Sequence, residues 1–113
     1  MKLAIIGSRG FSDYEMLKEE IKYEFGDEPE EIISGGAKGA DTLGAIYAKE
    51  YNLKLTVFKP DWTIGKHAGF IRNTQIIEAA DVIIAFWDGE SKGTLDSINK
   101  AKKLDKQVVV INY

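Results

Sequence analysis

The stretch Lys2-Leu3-Ala4-Ile5-Ile6-Gly7-Ser8-Arg9-Gly10 joins a short apolar run to a glycine-rich turn. The run is continuous rather than alternating, which indicates burial on both faces, as in a parallel sheet covered by helices. Four later runs share this character, and with the first they occupy residues 3–6, 31–33, 55–58, 82–86 and 107–111. The sequence therefore predicts five parallel strands.

Helical patterns separate these apolar runs. The first opens at Ser12, which its spacing to Glu15 predicts as the N-cap of a capping box. The others cover about residues 40–51, 68–79 and 94–104, and apolar spacing places Ile46 and Ile71 on inner helix faces. Strand and helix alternate from end to end, which predicts a single doubly wound, Rossmann-like α/β domain over residues 1–113, with helices on both faces.

Composition and charge disfavour several classes of protein. The 113 residues are 44% hydrophobic and include no cysteine, and the net charge is −3. Disulfides, zinc–thiolate sites and cysteine nucleophiles are thereby excluded, and the acidic balance disfavours nucleic acid as a partner. Neither a signal peptide nor an apolar run of membrane-spanning length is present, so we expect a cytoplasmic protein with no membrane partner.

Three loops follow strands one, two and four, and the parallel arrangement brings them to one edge of the sheet. Each combines glycine with a cation, so that backbone amides, a helix N-terminus and a charged side chain can reach a phosphate. The predicted ligand-binding residues are Gly7, Ser8 and Arg9 in loop one, Gly35, Gly36, Ala37, Lys38, Gly39 and Asp41 in loop two, and Trp87, Asp88, Gly89, Ser91, Lys92, Gly93 and Thr94 in loop four. We expect the backbone amides of Gly35 and Gly36 to lie at the centre of a phosphate-binding site formed by the three loops. The alternative is that the glycines only allow tight turns between strands and helices.

The two tryptophans and the single histidine leave alternatives open. Trp87, at the exit of strand four, can stack a nucleotide base and Trp62 can cover it, but plain packing explains both positions equally well. Trp62 and His67 belong to the connection 60–67, which is too long for a minimal turn and is predicted to reach over the same edge as a flap. A lone histidine is more often a surface or capping residue than a catalyst, and no metal site is predicted.

Four motifs in order carry a family resemblance. They are Ser34-Gly35-Gly36-Ala37-Lys38-Gly39-Ala40-Asp41, Arg72-Asn73, Ala80-Asp81-Val82-Ile83-Ile84-Ala85-Phe86-Trp87-Asp88-Gly89 and Ser91-Lys92-Gly93-Thr94. Together they resemble the SLOG superfamily, which joins the DNA-processing protein A domain to the LOG-type phosphoribohydrolases, and within it the small YspA-like branch. The resemblance implies a sheet ordered 3-2-1-4-5 and a nucleotide-type ligand over loops one, two and four, with Arg72 and Asn73 at the site.

The LOG-type relatives cleave the N-glycosidic bond of nucleoside monophosphates with an arginine and a glutamate. By resemblance, Arg72 occupies the arginine position, whereas the glutamate position falls on Ser97, which cannot ionise to support the reaction. Arg72, Asp88 and Asp96 are the candidates for catalysis, although spacing alone reveals no carboxylate pair. Whether the protein is an enzyme is left open, with the missing glutamate arguing against it.

The sequence thus favours a binding domain for a phosphate-bearing, nucleotide-derived small molecule, in a sensor, carrier or sequestering role. The first alternative is a LOG-like phosphoribohydrolase or other nucleotide-processing enzyme, and the second is single-stranded nucleic-acid binding of the DNA-processing type. A magnesium ion beside the phosphate is left open. Small size, the resemblance and the expected exposure of Tyr23, Tyr51 and Tyr113 predict a homodimer or larger homo-oligomer.

Overall fold

The computed structural model describes residues 1–113, and its centre is a sheet of five parallel strands. The strands are β1 (Lys2–Gly7), β2 (Glu31–Ser34), β3 (Lys54–Val57), β4 (Val82–Trp87) and β5 (Gln107–Asn112). They lie in the order β3-β2-β1-β4-β5. This arrangement confirms the predicted α/β fold class and the strand order 3-2-1-4-5.

Four α-helices cover the sheet, two on each face. They are α1 (Tyr14–Phe25), α2 (Ala40–Glu50), α3 (Ala68–Ala79) and α4 (Lys92–Lys103). Crossovers between parallel strands are right-handed. The chain runs from the central strand β1 through β2 to β3 at one edge of the sheet, and then returns past β1 to add β4 and β5 towards the other edge. For this reason α1 and α2 cover one face while α3 and α4 cover the other, each pair over its own buried cluster. None of the helices has the length and apolar character needed to cross a membrane.

The central strand β1 shows why an uninterrupted apolar run predicts burial on both sides. Leu3 and Ile5 belong to the core beneath α1 and α2, whereas Ala4 and Ile6 belong to the core beneath α3 and α4. Side chains alternate between the two faces along a strand. A strand covered on both faces therefore needs an apolar residue at every position, while the edge strand β3 remains largely exposed.

Two sequence predictions about the helices are wrong. Ser12 is not the N-cap of α1, because the carboxylate of Asp13 accepts the N–H of Met16 at 3.0 Å and caps the helix instead. Ile46 and Ile71 are exposed rather than buried. In α2 the buried face is made mainly of small residues, which let the helix lie close to the sheet, and these are Ala40, Gly44 and Ala48.

The helix α4 begins earlier than the sequence predicts, at Lys92 rather than Thr94. Its N-cap is Ser91, whose hydroxyl lies 3.4 Å from the N–H of Thr94. The residues Lys92, Gly93 and Thr94, predicted as part of a loop, therefore form the first turn of a helix.

The tyrosines behind the predicted oligomer differ in how far they are exposed. Tyr23 is 84% exposed. Tyr51 instead leans on Tyr47, with ring centroids 4.5 Å apart, and Tyr113 meets Phe11 edge-on, with centroids 4.9 Å apart. Part of their surface is thus used within one chain, and the homo-oligomer stays a prediction.

Candidate functional site

A cleft of about 480 Å³ opens beyond the carboxyl ends of the strands, and loops one and four both line it. They leave the neighbouring strands β1 and β4, whose connections run to opposite faces of the sheet, so the loops diverge and leave space between them. Loop two contributes Ala37 and Asp41, and the rest of the wall comes from α3 with its preceding connection, within residues 62–76, and from Ser97 of α4. In open α/β sheets, this switch point is where ligands bind.

Loops one and four are tied together through Ser8. Its N–H donates to the carbonyl oxygen of Phe86 at 2.9 Å, and its hydroxyl accepts the N–H of Asp88 at 3.2 Å. The carboxylate of Asp88 in turn accepts the N–H groups of Glu90 and Ser91 at 2.9 and 2.8 Å. These backbone hydrogen bonds, from Ser91 first, lower the pKa of Asp88, so its carboxylate is ionised at neutral pH.

Loop two uses most of its own polar groups internally. The N–H of Gly36 donates to the hydroxyl of Ser34 at 3.2 Å, and the N–H of Ala37 donates to the carboxylate of Asp41 at 3.3 Å. The hydroxyl of Ser34 donates to the carbonyl oxygen of Asp41 at 3.0 Å. The carboxylate of Asp41 therefore takes the place that a ligand anion was expected to occupy near Gly35 and Gly36.

Arg72 connects α3 to loop two. Its Nη1 donates to the carbonyl oxygen of Gly35 at 2.6 Å, and its Nε donates to the Asn73 side-chain oxygen at 3.1 Å. A Cβ atom at Gly35 would lie 2.6 Å from this Nη1 and equally close to the carboxylate of Asp41, so glycine is required there by close approach. Burial lowers the pKa of Arg72, while Asp41 opposes and Arg9 adds to that shift; arginine nevertheless remains charged in proteins.

Asp41 is a buried carboxyl group inside the cleft, only 5% exposed. Burial raises its pKa to about 6, against the opposing effects of the Ala37 N–H, the Arg72 guanidinium and the Gly35 N–H. Its charge therefore changes close to neutral pH. A strongly perturbed carboxyl group in a cleft is typical of functional sites.

Asn73 joins α3 to α4 at the floor of the site. Its Nδ2 donates to the carbonyl oxygen of Gly93 and to the carboxylate of Asp96, both at 3.2 Å. Asp96 also forms an ion pair with Lys100 at 2.8 Å. Asp96 is thus a link between two helices outside the cleft, whereas its neighbour Ser97, at the position of the LOG-type glutamate, is buried and lines the cleft.

The structure gathers more than half of the predicted ligand-binding residues at the cleft. Those that line it are Gly7, Ser8, Arg9, Ala37, Asp41, Arg72, Asn73, Asp88, Ser91, Gly93 and Thr94. Those that do not are Gly35, Gly36, Lys38, Gly39, Trp87, Gly89, Lys92 and the catalytic candidate Asp96. At Gly39, φ is +84° and a Cβ atom would lie 2.3 Å from the carbonyl oxygen of Ser8, so this glycine serves the tight contact between loops one and two.

The connection 60–67 and the first turn of α3 supply side chains that the sequence reasoning passed over. Lys66 and Phe70 line the cleft, together with Trp62, which had been predicted as a cover. His67 is exposed at the N-cap of α3 and does not line the cleft. Lys66 lies in the connection 60–67, which the sequence predicts to reach over this edge of the sheet, and that position is the signal that identifies it as a candidate lining residue. Nowhere does the structure bring together three His, Asp or Glu residues that could hold a metal ion.

The fold and the cleft define a Rossmann-like α/β domain with a polar cleft at its switch point. Residues 1–65 match the model of the YspA, cpYpsA-related SLOG family, and the chain belongs to this family. The predicted resemblance is thereby confirmed. No match is found among curated proteins. The matched segment contains loops one and two, and family membership suggests a nucleotide-related binding or processing domain.

Proposed function

We propose that this protein binds a phosphate-bearing, nucleotide-derived small molecule in the cleft, in a sensor, carrier or sequestering role. The observation that carries the proposal is the convergence of Arg9, Lys66 and Arg72 on one cleft in a chain whose net charge is −3. They outnumber the carboxylates that line the same cleft, Asp41 and Asp88. The cleft is therefore locally positive even with both carboxylates ionised.

The contacts of these cations support a role in binding. Arg9 and Lys66 are exposed and engage in no ion pair or side-chain hydrogen bond within the chain. An arginine that faces a cleft with its donors free can form charge-assisted, bidentate hydrogen bonds with a phosphate. The volume of about 480 Å³ also falls in the range of small-molecule sites rather than of a single bound ion.

The test is a binding series of nucleoside monophosphates, cyclic nucleotides and ADP-ribose derivatives, measured by calorimetry with and without Mg²⁺. We expect binding, and we expect Arg9→Gln and Lys66→Gln each to weaken it about tenfold or more, as for the loss of a charge-assisted hydrogen bond. Lys38→Gln is the matched control, because Lys38 is an exposed loop lysine that does not line the cleft. No binding by any ligand, or equal losses in all three variants, would reject the proposal.

One observation favours a second candidate, a hydrolase that cleaves the N-glycosidic bond of a nucleoside phosphate with water. Asp41 and Asp88 both line the cleft, and their surroundings shift their pKa values in opposite directions. Such a pair can divide the roles of general acid and of ionised base or stabiliser. Release of free base and ribose 5-phosphate, abolished in both Asp41→Asn and Asp88→Asn, would establish this activity in place of simple binding.

A further inference from the structure

The wall of the cleft formed by the connection before α3 and by its first turn is aromatic. Trp62 and Phe70 both line the cleft, yet they remain 60% and 46% exposed. Large aromatic side chains are normally buried in a domain core. Here two of them line the same cleft as the cations that the proposed function assigns to the phosphate.

Neighbouring residues contact the ring of Trp62 and the backbone of Phe70. Trp62 opens a 3-10 turn, in which the carboxylate of Asp61 accepts the N–H of Thr63 at 3.1 Å. The Trp62 ring lies against the first turn of α3, since a Cβ atom at Gly69 would be 3.4 Å from its Cη2. The backbone of Phe70 is held by Lys100, which donates to its carbonyl oxygen at 2.7 Å.

The other tryptophan is differently placed. The indole N–H of Trp87 donates to the carbonyl oxygen of Ser91 at 3.1 Å, and the ring packs against the core beneath α3 and α4. Trp87 does not line the cleft. Of the two alternatives that the sequence left open for Trp87, stacking on a base or plain packing, the structure thus shows packing, and the exposed aromatic surface lies elsewhere.

Resting on the proposed function, we infer that Trp62 and Phe70 form a base-binding subsite, so that the ligand is a nucleotide with its aromatic base rather than a phosphorylated sugar alone. A molecule that combines an anionic group with a flat heterocycle matches a cleft lined by cations on one part of its wall and by aromatic rings on another. The anion meets Arg9 and Arg72, and the base stacks on the indole. Stacking accepts every base, because each presents a π-face.

The experiment compares adenosine, guanosine, cytidine and uridine 5′-monophosphates with ribose 5-phosphate by calorimetry. We expect each nucleotide to bind about tenfold or more tightly than ribose 5-phosphate. Trp62→Ala and Phe70→Ala should remove most of this advantage while leaving the affinity for ribose 5-phosphate unchanged. Tyr23→Ala is the matched control, because Tyr23 is an exposed aromatic residue of α1 that does not line the cleft.

A fluorescence measurement checks the contact itself. In Trp87→Phe the only tryptophan left is Trp62, and a nucleotide stacked on its ring should quench its emission, whereas ribose 5-phosphate should not. In Trp62→Phe, the remaining emission of Trp87 should stay unchanged on addition of the same nucleotide.

The outcomes separate this inference from the proposed function. Equal affinity for ribose 5-phosphate and the nucleotides, or equal weakening of both in Trp62→Ala, would overturn the base subsite and leave the phosphate site standing. If Trp62→Ala dissociated an oligomer in light scattering without changing nucleotide affinity, the aromatic wall would be a subunit contact and the inference would fall. If neither the nucleoside monophosphates nor ribose 5-phosphate bound, the inference would fall, and if the cyclic nucleotides and ADP-ribose derivatives also failed to bind, the proposed function would fall with it.

Discussion

Asp41 is the only charged residue that the fold buries. Its backbone lies at the start of α2, its carbonyl oxygen accepts the Ser34 hydroxyl at 3.0 Å, and its carboxylate accepts the Ala37 N–H at 3.3 Å. Loop two therefore folds around the carboxylate of Asp41. Since burial outweighs these hydrogen bonds and the charge of Arg72, the pKa is raised to about 6 from the ordinary 3.8.

This raised pKa has a definite consequence for stability. Below about pH 4 the carboxyl group is neutral in the folded and the unfolded chain, and it imposes no penalty. As the pH rises to about 6, the unfolded chain gives up this proton more readily than the folded one, so ionisation progressively favours unfolding. Above that range the ionised carboxylate lowers the free energy of unfolding by its full amount, which for a shift of about two pKa units is about 3 kcal/mol.

Asp41→Asn should therefore change how stability depends on pH. Asparagine cannot ionise but keeps an oxygen that can accept the Ala37 N–H. We expect the free energy of unfolding of the variant, relative to wild type, to rise by about 2 to 3 kcal/mol between about pH 4 and pH 7. Urea denaturation at a series of pH values measures this difference. Glu24→Gln, at an exposed carboxylate of α1, is the control, and a flat difference for Asp41→Asn would contradict the prediction.

Among the helices, α3 has its C-terminus capped from a distance. The ammonium group of Lys106, between α4 and β5, donates to the carbonyl oxygens of Ile77, Glu78 and Ala80 at 2.7, 2.8 and 2.7 Å. The last carbonyl groups of a helix have no partner within it and carry the negative end of its dipole. One lysine thus satisfies three acceptors and ties α3 to the segment before the edge strand β5.

Lys106→Met should lower the free energy of unfolding by about 1 to 3 kcal/mol, because methionine preserves most of the stem but donates no hydrogen bond. Chemical denaturation compares this variant with Lys103→Met, which removes an exposed lysine of α4 that forms no ion pair or side-chain hydrogen bond. The prediction would be contradicted by equal losses in the two variants.

The helices also show where sequence patterns stop being informative. Apolar spacing found all four helices, but it placed Ile46 inside, because a large side chain carries more weight in a pattern than glycine or alanine. The face of α2 that contacts the sheet is instead the one with Ala40, Gly44 and Ala48. Which stripe faces the sheet depends on how near the helix lies to it, and that distance is a property of the packed structure.

For the whole molecule, the strand order was predicted from the family resemblance, and the structure confirms it. The edge of the sheet at which the cleft opens was predicted from the alternation of strands and helices. The sequence did not predict which loop lysine lines the cleft, because it pointed to Lys38 and not to Lys66. Lys38 belongs to a glycine-rich motif and Lys66 to a connection without one, yet only Lys66 lines the cleft. Motifs place loops at an edge, whereas the direction of each side chain depends on internal bonds such as those of Asp41 in loop two.

The charge of the whole molecule bears on the remaining alternative, single-stranded nucleic acid. Proteins that bind it use a positive groove that follows the backbone, and their affinity falls steeply with salt. This chain has 15 lysine and arginine residues against 18 acidic ones, and the cleft whose lining cations outnumber its carboxylates has a volume of about 480 Å³. A cleft of this volume is typical of small-molecule sites, which favours the proposed mononucleotide over a nucleic-acid strand.

We therefore expect a single-stranded oligonucleotide to show no salt-dependent mobility shift at protein concentrations where a nucleoside monophosphate binds. The reason is that the chain as a whole carries a net charge of −3, so that added phosphates gain no overall electrostatic attraction and little counterion release. Mobility-shift titrations at low and moderate salt, with the monophosphate as competitor, measure this. A retarded complex whose affinity drops steeply with salt, and which Arg9→Gln weakens, would reassign the cleft to the end of a nucleic-acid groove.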